Sequence, residues 1–382
     1  MAKKPRTPKN PTHGIEESRV TTLELFFDLV FVFTLTQLAA RLHESLSWES
    51  LIQSFLIFII LFWMYGGYVW LTNSIPPVKP ERQLLLISGM AAFLICALAI
   101  PNAFEDTGII FGIGYLIVII VHGFMYMQAV GWKAGRFVPL NFLSAGLVIA
   151  AGFTDGFTQY SIWILAILCH VVTSLLSAGI TFDIKASHFV ERHGLLLLVA
   201  LGESIIAIGA GILELNLQFI LAAVMGLILT AALWWIYFAR DDEVARENML
   251  ARSIPDRLRQ ALGAYFYAFI PMLFGIILLA TGIESSIEHL TEQLDPAHAF
   301  AFGGGVGLYL FGTIIFRRAS AIPQVTSRAV AAILAVLTGL IGNYLSAGVQ
   351  FAALILIAIG LVLVESNWVF AKQNKKVKAT LN

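Results

Sequence analysis

The sequence predicts an all-α polytopic membrane protein with about twelve transmembrane helices. Three observations carry this. Of the 382 residues 58% are hydrophobic, only 13% are charged, and the apolar residues fall in long runs bounded by charge, Pro or Gly. The mean hydropathy is +0.83. A soluble domain is about 25% charged and at most half apolar, so a soluble enzyme, a disordered chain and a fibrous repeat are excluded. With 24 basic and 24 acidic residues there is no excess charge to release counterions, so nucleic-acid binding through bulk positive charge is excluded as well.

Residues 1–21 are polar, basic and proline-rich, with no apolar core of a signal peptide; they read as a cytoplasmic tail. Crossing roughly 30 Å of hydrocarbon takes about 20 mostly apolar residues. Runs of this kind occur at 22–41, 50–72, 83–101, 108–131, 138–154 and 160–182, a first six-helix half over 22–182. Residues 183–239 open a second half with runs at 194–212 and 217–239. The connection 240–259 alternates in charge and suits a solvated amphipathic helix. Runs at 260–282, 298–316, 328–346 and 349–370 complete the second half within 260–371, and 372–382 reads as a second basic tail. Backbone groups in lipid must pair within the segment, which selects helices.

Alternating loops place 23 of the 24 basic residues on one side, with Arg41 alone on the other. By the positive-inside rule this puts the protein in the cell membrane with both termini cytoplasmic. Cys96 and Cys169 lie inside apolar runs and form no disulfide or zinc pattern.

The two halves share short features in the same order: Trp63 and Tyr65 against Trp235 and Tyr237, Arg82-Gln83 against Arg259-Gln260, FGIG at 111–114 against FGGG at 302–305, and Glu24 against Glu191. This pattern suggests a parallel tandem repeat of six and six helices. The alternative reading is that aromatic and basic residues gather at the interfaces of any membrane protein.

The run VTTLELFFDLVFVFTLTQLAA (20–40) and the run VERHGLLLLVALGESIIAIG (190–209) resemble the two signature blocks of the bacterial low temperature requirement A family. The resemblance implies an integral membrane protein of many helices. That family is named for a growth phenotype, so the resemblance assigns neither a substrate nor residue roles.

Ionisable groups inside the bilayer cost at least ~2.5–3.5 kcal/mol and are functional by default. Glu203, about 12 Å into the run 194–212 counted from Leu195, has no Lys or Arg within a turn. It reads either as a proton- or cation-binding carboxylate or as a protonated acid bonded to another helix. Glu24 and Asp28 lie one turn apart on the first run. Thr21 and Glu24 have capping-box spacing; Asp28, a turn deeper, calls for a cation, for Arg192 or His193 as partner, or for a bridge to a basic loop. If the runs holding Asp28 and Glu203 pack as duplicates, both acids face one central cavity. Thr34, Thr36 and Gln37 do not extend the acidic face. His122 and His170 suit a proton relay or an interhelical hydrogen bond better than a metal or haem, because neither has an E-x-x-H companion. Glu365, near the end of the last run, reads as solvated. Trp63, Tyr65, Trp234, Trp235 and Tyr237 read as interfacial anchors, and Pro101, Pro271 and Gly303–Gly305 as candidate helix breaks.

No P-loop, zincin, G-x-S-x-G or dinucleotide fingerprint occurs, so no cofactor is indicated. The expected function is a secondary transporter or ion-coupled permease for a small solute, proton or cation. Its candidate site residues are Asp28, Glu203, Glu24, His122, His170, Glu191 and His193, and its partners are the bilayer and that solute, with a homo-oligomer compatible. The alternatives are an ion channel or an intramembrane enzyme acting on a lipid or isoprenoid.

Overall fold

The computed structural model describes residues 20–130, 138–176, 184–210 and 216–381, with side chains up to Ser366. The first basic tail up to Arg19, Lys133, Arg136 and the side chains of the last basic residues lie outside the described residues. The described residues are all-helical: α1 Thr22–Glu44, α2 Trp48–Ser74, α3 Pro80–Ala99, α4 Gly108–Val130, α5 Val138–Ala151, α6 Gly156–Leu176, α7 Ala186–Ala210, α8 Leu217–Phe238, the short α9 Asp241–Ala251 and α10 Ile254–Gln260, a π-helical turn Ala261–Tyr267, α11 Phe269–Glu288, α12 Pro296–Ala319, α13 Thr326–Tyr344 and α14 Ala347–Leu381. Among the described residues eleven helical stretches are long and apolar enough to cross a membrane, and Val138–Ala151 is a shorter apolar helix. The helix carrying each of the twelve apolar runs is therefore present.

Large apolar side chains such as Leu98, Phe157, Leu175, Leu221, Ile333 and Leu356 are exposed on the outside of the bundle. That is the surface a lipid-facing helix presents, since acyl chains solvate it as well as a core would. We call the face where α1 begins the tail face and the opposite one the far face.

The main boundary difference is instructive. The seventh apolar run starts at 194, but α7 begins at Ala186. Its polar opening, ASHFVERH, is helical because His188, Arg192 and His193 are buried inside the bundle. Glu203 is consequently seventeen residues, roughly 26 Å, from the start of α7. It lies toward the far face, deeper than the 12 Å expected from the apolar run alone.

The expected helix breaks divide. Pro101 stands in the 3-10 turn Ile100–Asn102 that ends α3. Pro271 follows the π-helical turn, in the first turn of α11. The Gly303–Gly305 run breaks nothing and lies inside α12. There it is a packing device: a Cβ on Gly305 would stand 2.6 Å from the Leu279 amide nitrogen, and one on Gly275 would stand 2.7 Å from the Gly305 carbonyl. Small residues of this kind let membrane helices approach backbone to backbone.

Connection 240–259 is helical and amphipathic as expected. α9 buries Asp241, Ala245 and Met249 on one stripe, and Asn248 donates to the Ser320 carbonyl at 2.8 Å. On the far face Asp295 caps α12 through the amides of Ala297 and His298. Partial burial opposes its ionisation, but the hydrogen bond to His298, with those amides, holds the carboxyl below the usual carboxylate range.

Glu365, expected to be solvated, instead joins a four-residue ion network at the tail face. Arg317 bonds Asp241 at 2.7 and 3.0 Å and Glu365 at 2.9 and 2.6 Å. Arg328 bonds Glu365 twice at 3.0 Å, approaches Asp241 to 2.8 Å and donates to the Ile236 carbonyl at 2.8 Å. Two guanidinium and two carboxylate groups balance, and they tie the end of α8 and α9 to α12, α13 and α14. Removing one member leaves a buried charge uncompensated, which costs about 3–5 kcal/mol. Arg328→Met should therefore lower the thermal midpoint of the detergent-solubilised protein sharply, and adding Glu365→Gln should recover part of the loss. Equal midpoints for wild type and Arg328→Met would show that the network holds nothing together.

Candidate functional site

Two groups of acids on α1, α7 and α11 stand apart, and they differ in how their charge is met. The first is at the tail face. Thr21 and Glu24 form the expected capping box, with the Thr21 amide and hydroxyl donating to Glu24 at 3.0 and 2.9 Å. Glu24 is also fully buried. Its second oxygen accepts from Arg192 at 3.1 Å. Arg192 reaches Asp28 at 3.0 Å through Nη2 and at 3.3 Å through Nε, and it also donates to Thr72. Asp28 accepts a further bond from Tyr65 at 2.8 Å, and the guanidinium carbon stands 5.8 Å from the centre of the Phe27 ring.

Arg192 is completely buried. A guanidinium has five donors in a planar fork, so one side chain serves both carboxylates and a hydroxyl. His188, which sequence reasoning passed over, completes the group: its Nε2 lies 3.2 Å from Glu24 and its Nδ1 lies 3.1 Å from the Asn73 amide nitrogen. The amide nitrogen can only donate, which makes Nδ1 the acceptor and Nε2–H the donor toward Glu24. Spacing on α7 hides this role, since 188 and 192 are one turn apart but sit in a stretch that reads as a loop.

Other expected members are elsewhere. Glu191, one residue before Arg192, is exposed; successive helical residues point about 100° apart. His193 is buried, bonds the Phe189 carbonyl at 2.8 Å and packs on Tyr265 and Phe269, so Arg192 and not His193 is the partner of Asp28. Tyr65 and Tyr237 are fully buried and are not interfacial anchors.

The second group contains Glu203, which is 3% exposed and looks into the bundle. The lipid side of α7 carries Leu198, Ile205 and Ile206 instead. Glu203 receives one hydrogen bond, from the Thr36 hydroxyl at 2.6 Å. Its salt-bridge partner is absent among the described residues. Beside it the Ser204 hydroxyl is buried with no hydrogen-bond partner. Glu284 of α11 is close enough to act on it electrostatically. Nearer the far face His43 lies 3.7 Å from Glu284 and 3.6 Å from Glu288, and its Nδ1 meets Ser285 at 3.2 Å. Those three side chains are 21%, 17% and 28% exposed, so the line of acids runs from the far surface inward to Glu203. Thr36 was set aside in the sequence because it does not share the face of Asp28, and that is the reason it reaches a different acid.

Asp28 and Glu203 are not brought together. Their contact points on α1, Asp28 and Thr36, are eight residues or roughly 12 Å apart. His122 and His170 belong to a third place, a cavity of about 400 Å³ lined by α2, α4, α5, α6 and the π-helical turn. Among the described residues no cluster of three or more His, Cys, Asp or Glu has the disposition to hold a metal ion.

The tail-face group makes a sharp prediction. Arg192→Gln leaves two buried carboxylates without a cation and should destabilise the solubilised protein by about 3–5 kcal/mol. Arg192→Lys should recover little, since one ammonium cannot fork to both acids. A thermal unfolding series reads both, and full rescue by lysine would contradict the forked geometry.

Comparison with known proteins agrees with this architecture. The chain is 28% identical over 340 residues to an uncharacterized protein of Rhizobium meliloti (strain 1021), covering 82% of this chain and 81% of that one. No solved structure matches. The family model described as bacterial low temperature requirement A protein (LtrA) matches residues 19–364, a span that holds α1 with Glu24 and Asp28, α7 with Arg192 and Glu203, and α11 with Glu284. The chain belongs to the bacterial low temperature requirement A family.

Proposed function

We propose that this protein is a secondary transporter or ion-coupled permease for a small solute or ion, with Glu203 carrying the coupling proton or cation. One observation carries the reading: a carboxyl group 3% exposed, inside a spanning helix, with a threonine hydroxyl and, among the described residues, no basic side chain as its partner. A buried acid without a counter-ion is costly unless it takes up a proton or a cation. His43, Glu284 and Glu288 form the entrance to it from the far face. Glu24 and Asp28, which share the Arg192 guanidinium, anchor α1 to α7 at the opposite end.

In this reading the tail face is cytoplasmic, as the basic loops imply, and the chain sits in the cell membrane. The two-halves arrangement is supported by matching packing. Phe111 packs on Trp163 of α6 and Phe302 on Phe351 of α14. Gly112 faces Ile149 of α5 and Gly303 faces Thr338 of α13, while Gly114 faces Cys96 of α3 and Gly305 faces Leu279 of α11. Corresponding residues thus meet corresponding helices, six spans apart. Glu24 and Glu191 do not follow the pattern, since the first is buried and the second exposed.

Purified protein in liposomes loaded with a pH-sensitive dye tests the proposal under an imposed proton or sodium gradient. Wild type should dissipate the gradient, Glu203→Gln should lower the rate at least about tenfold, and Thr36→Val should lower it less and shift its pH dependence. Unchanged flux and unchanged pH dependence in Glu203→Gln would remove Glu203 from the mechanism.

A further inference from the structure

Thr36, the partner of Glu203, and His43 stand on one face of α1, almost two turns or roughly 10 Å apart along the helix. Glu203 and His43 share one local arrangement. Each meets a hydroxyl that also reaches a carbonyl of its own helix. The Thr36 hydroxyl lies 2.6 Å from Glu203 and 3.5 Å from the Val32 carbonyl. The Ser285 hydroxyl lies 3.2 Å from His43 Nδ1 and 3.0 Å from the Thr281 carbonyl. The Val32 bond is the weakest of the four.

A hydroxyl has one hydrogen to give and lone pairs to accept with. When Glu203 is ionised, Thr36 donates to the carboxylate. When Glu203 carries a proton, the acid donates to the Thr36 oxygen and the hydroxyl hydrogen turns to Val32. Ser285 does the same for His43. It donates to a bare Nδ1, and it accepts from Nδ1–H while its own hydrogen turns to Thr281. A ring that takes a proton at one nitrogen and releases it from the other passes through both neutral tautomers, and Ser285 serves each of them. Both titratable groups therefore change protonation without leaving a buried donor or acceptor unmet, which would cost about 1–3 kcal/mol.

The charges around His43 suit proton exchange. From α11, Glu284 and Glu288 face its Nε2 at 3.7 and 3.6 Å. From α12, the His298 ring stands edge-on at 6.5 Å and is itself bonded to Asp295. On its own helix Glu44 is exposed, and Arg41 turns to α2 and the 3-10 turn, bonding Ser54 and the Pro101 carbonyl. Glu49 and Glu105 act on Arg41, and His289 pairs with Glu292. Imidazole is the side chain that exchanges protons near neutral pH. Between two carboxylates its charged form offsets them, so a metal cation coming past this point meets a positive charge, whereas a proton can be handed on.

We propose that the ion coupled at Glu203 is a proton and that His43 relays it between the far face and Glu203. The inference rests on the transport reading of Glu203 and names its ion. The imidazolium releases its Nε2 proton to Glu284, which acts on Glu203 electrostatically and passes the proton to it. The ring, then neutral, takes its next proton from water at the far surface, and no other atom or electron moves.

Liposomes holding the full chain test this in two arms. One imposes a proton gradient in sodium-free potassium medium, with valinomycin to clamp the voltage and a pH-sensitive dye inside. The other imposes a sodium gradient at equal pH, with a sodium-sensitive dye inside. Wild type should dissipate the first and leave the second standing. A sodium gradient that collapses while the proton gradient stands overturns the proton assignment and leaves the transport reading intact; two standing gradients overturn both. His43→Gln should slow proton movement at least about tenfold. Ser285→Ala, which keeps the ring and removes the hydroxyl, should shift the pH dependence of the rate. Thermal midpoints within a few degrees of wild type confirm that the variants are folded; if His43→Gln is not, Ser285→Ala decides alone. Wild-type rates and wild-type pH dependence in the folded variants overturn the relay.

Discussion

The buried guanidinium of Arg192 is the interaction on which the arrangement of the N-terminal helices depends. A charge in hydrocarbon must be met by other groups of the protein. Arg192 meets Glu24 and Asp28 of α1 and Thr72 of α2 at once, so three helices share one point at the tail face. From there α1 and α7 run side by side. Eight residues along α1 and eleven along α7 they meet again, at Thr36 and Glu203. The register set by the ion group thus decides which hydroxyl faces the unpaired acid.

The molecule meets its intramembrane charges in two ways. At the tail face every buried ionic side chain described above has an opposite charge in reach: Glu24 and Asp28 with Arg192, Asp241 and Glu365 with Arg317 and Arg328. Such groups tie helices together through shared guanidinium forks. Toward the far face Glu284 and Glu288 flank His43, and Glu203 lies deeper with the Thr36 hydroxyl as its partner. An excess of carboxyl groups leading inward from a surface is what ion entry requires.

Backbone detail serves packing in one place and opening in another. α11, α12 and α13 close together through glycines that admit a neighbouring backbone. The π turn before α11 does the opposite, setting Phe266 and Tyr267 across from α2 and α4 so that a cavity stays open. Both depend on residues without a side chain: Gly275 and Gly305 in the seam, Gly66 and Gly67 in the cavity wall.

Composition and run length by themselves determined the class of protein, the helix count and the amphipathic connection α9, because hydrophobic length and backbone pairing in lipid act locally along the chain. They also singled out Glu203 and Asp28 as acids in need of compensation. Tertiary structure alone decided what compensates each. Arg192 and His188 stand more than 160 residues from Glu24 in sequence, and a polar octapeptide with its partners out of sight reads as a loop. Thr36 looked irrelevant because helix geometry ranks residues by their own face, whereas Glu203 approaches from another helix. Glu365 looked solvated until Arg317 and Arg328 were placed beside it. Charge pairing across helices is set by how the helices pack, and no local pattern of residues records it.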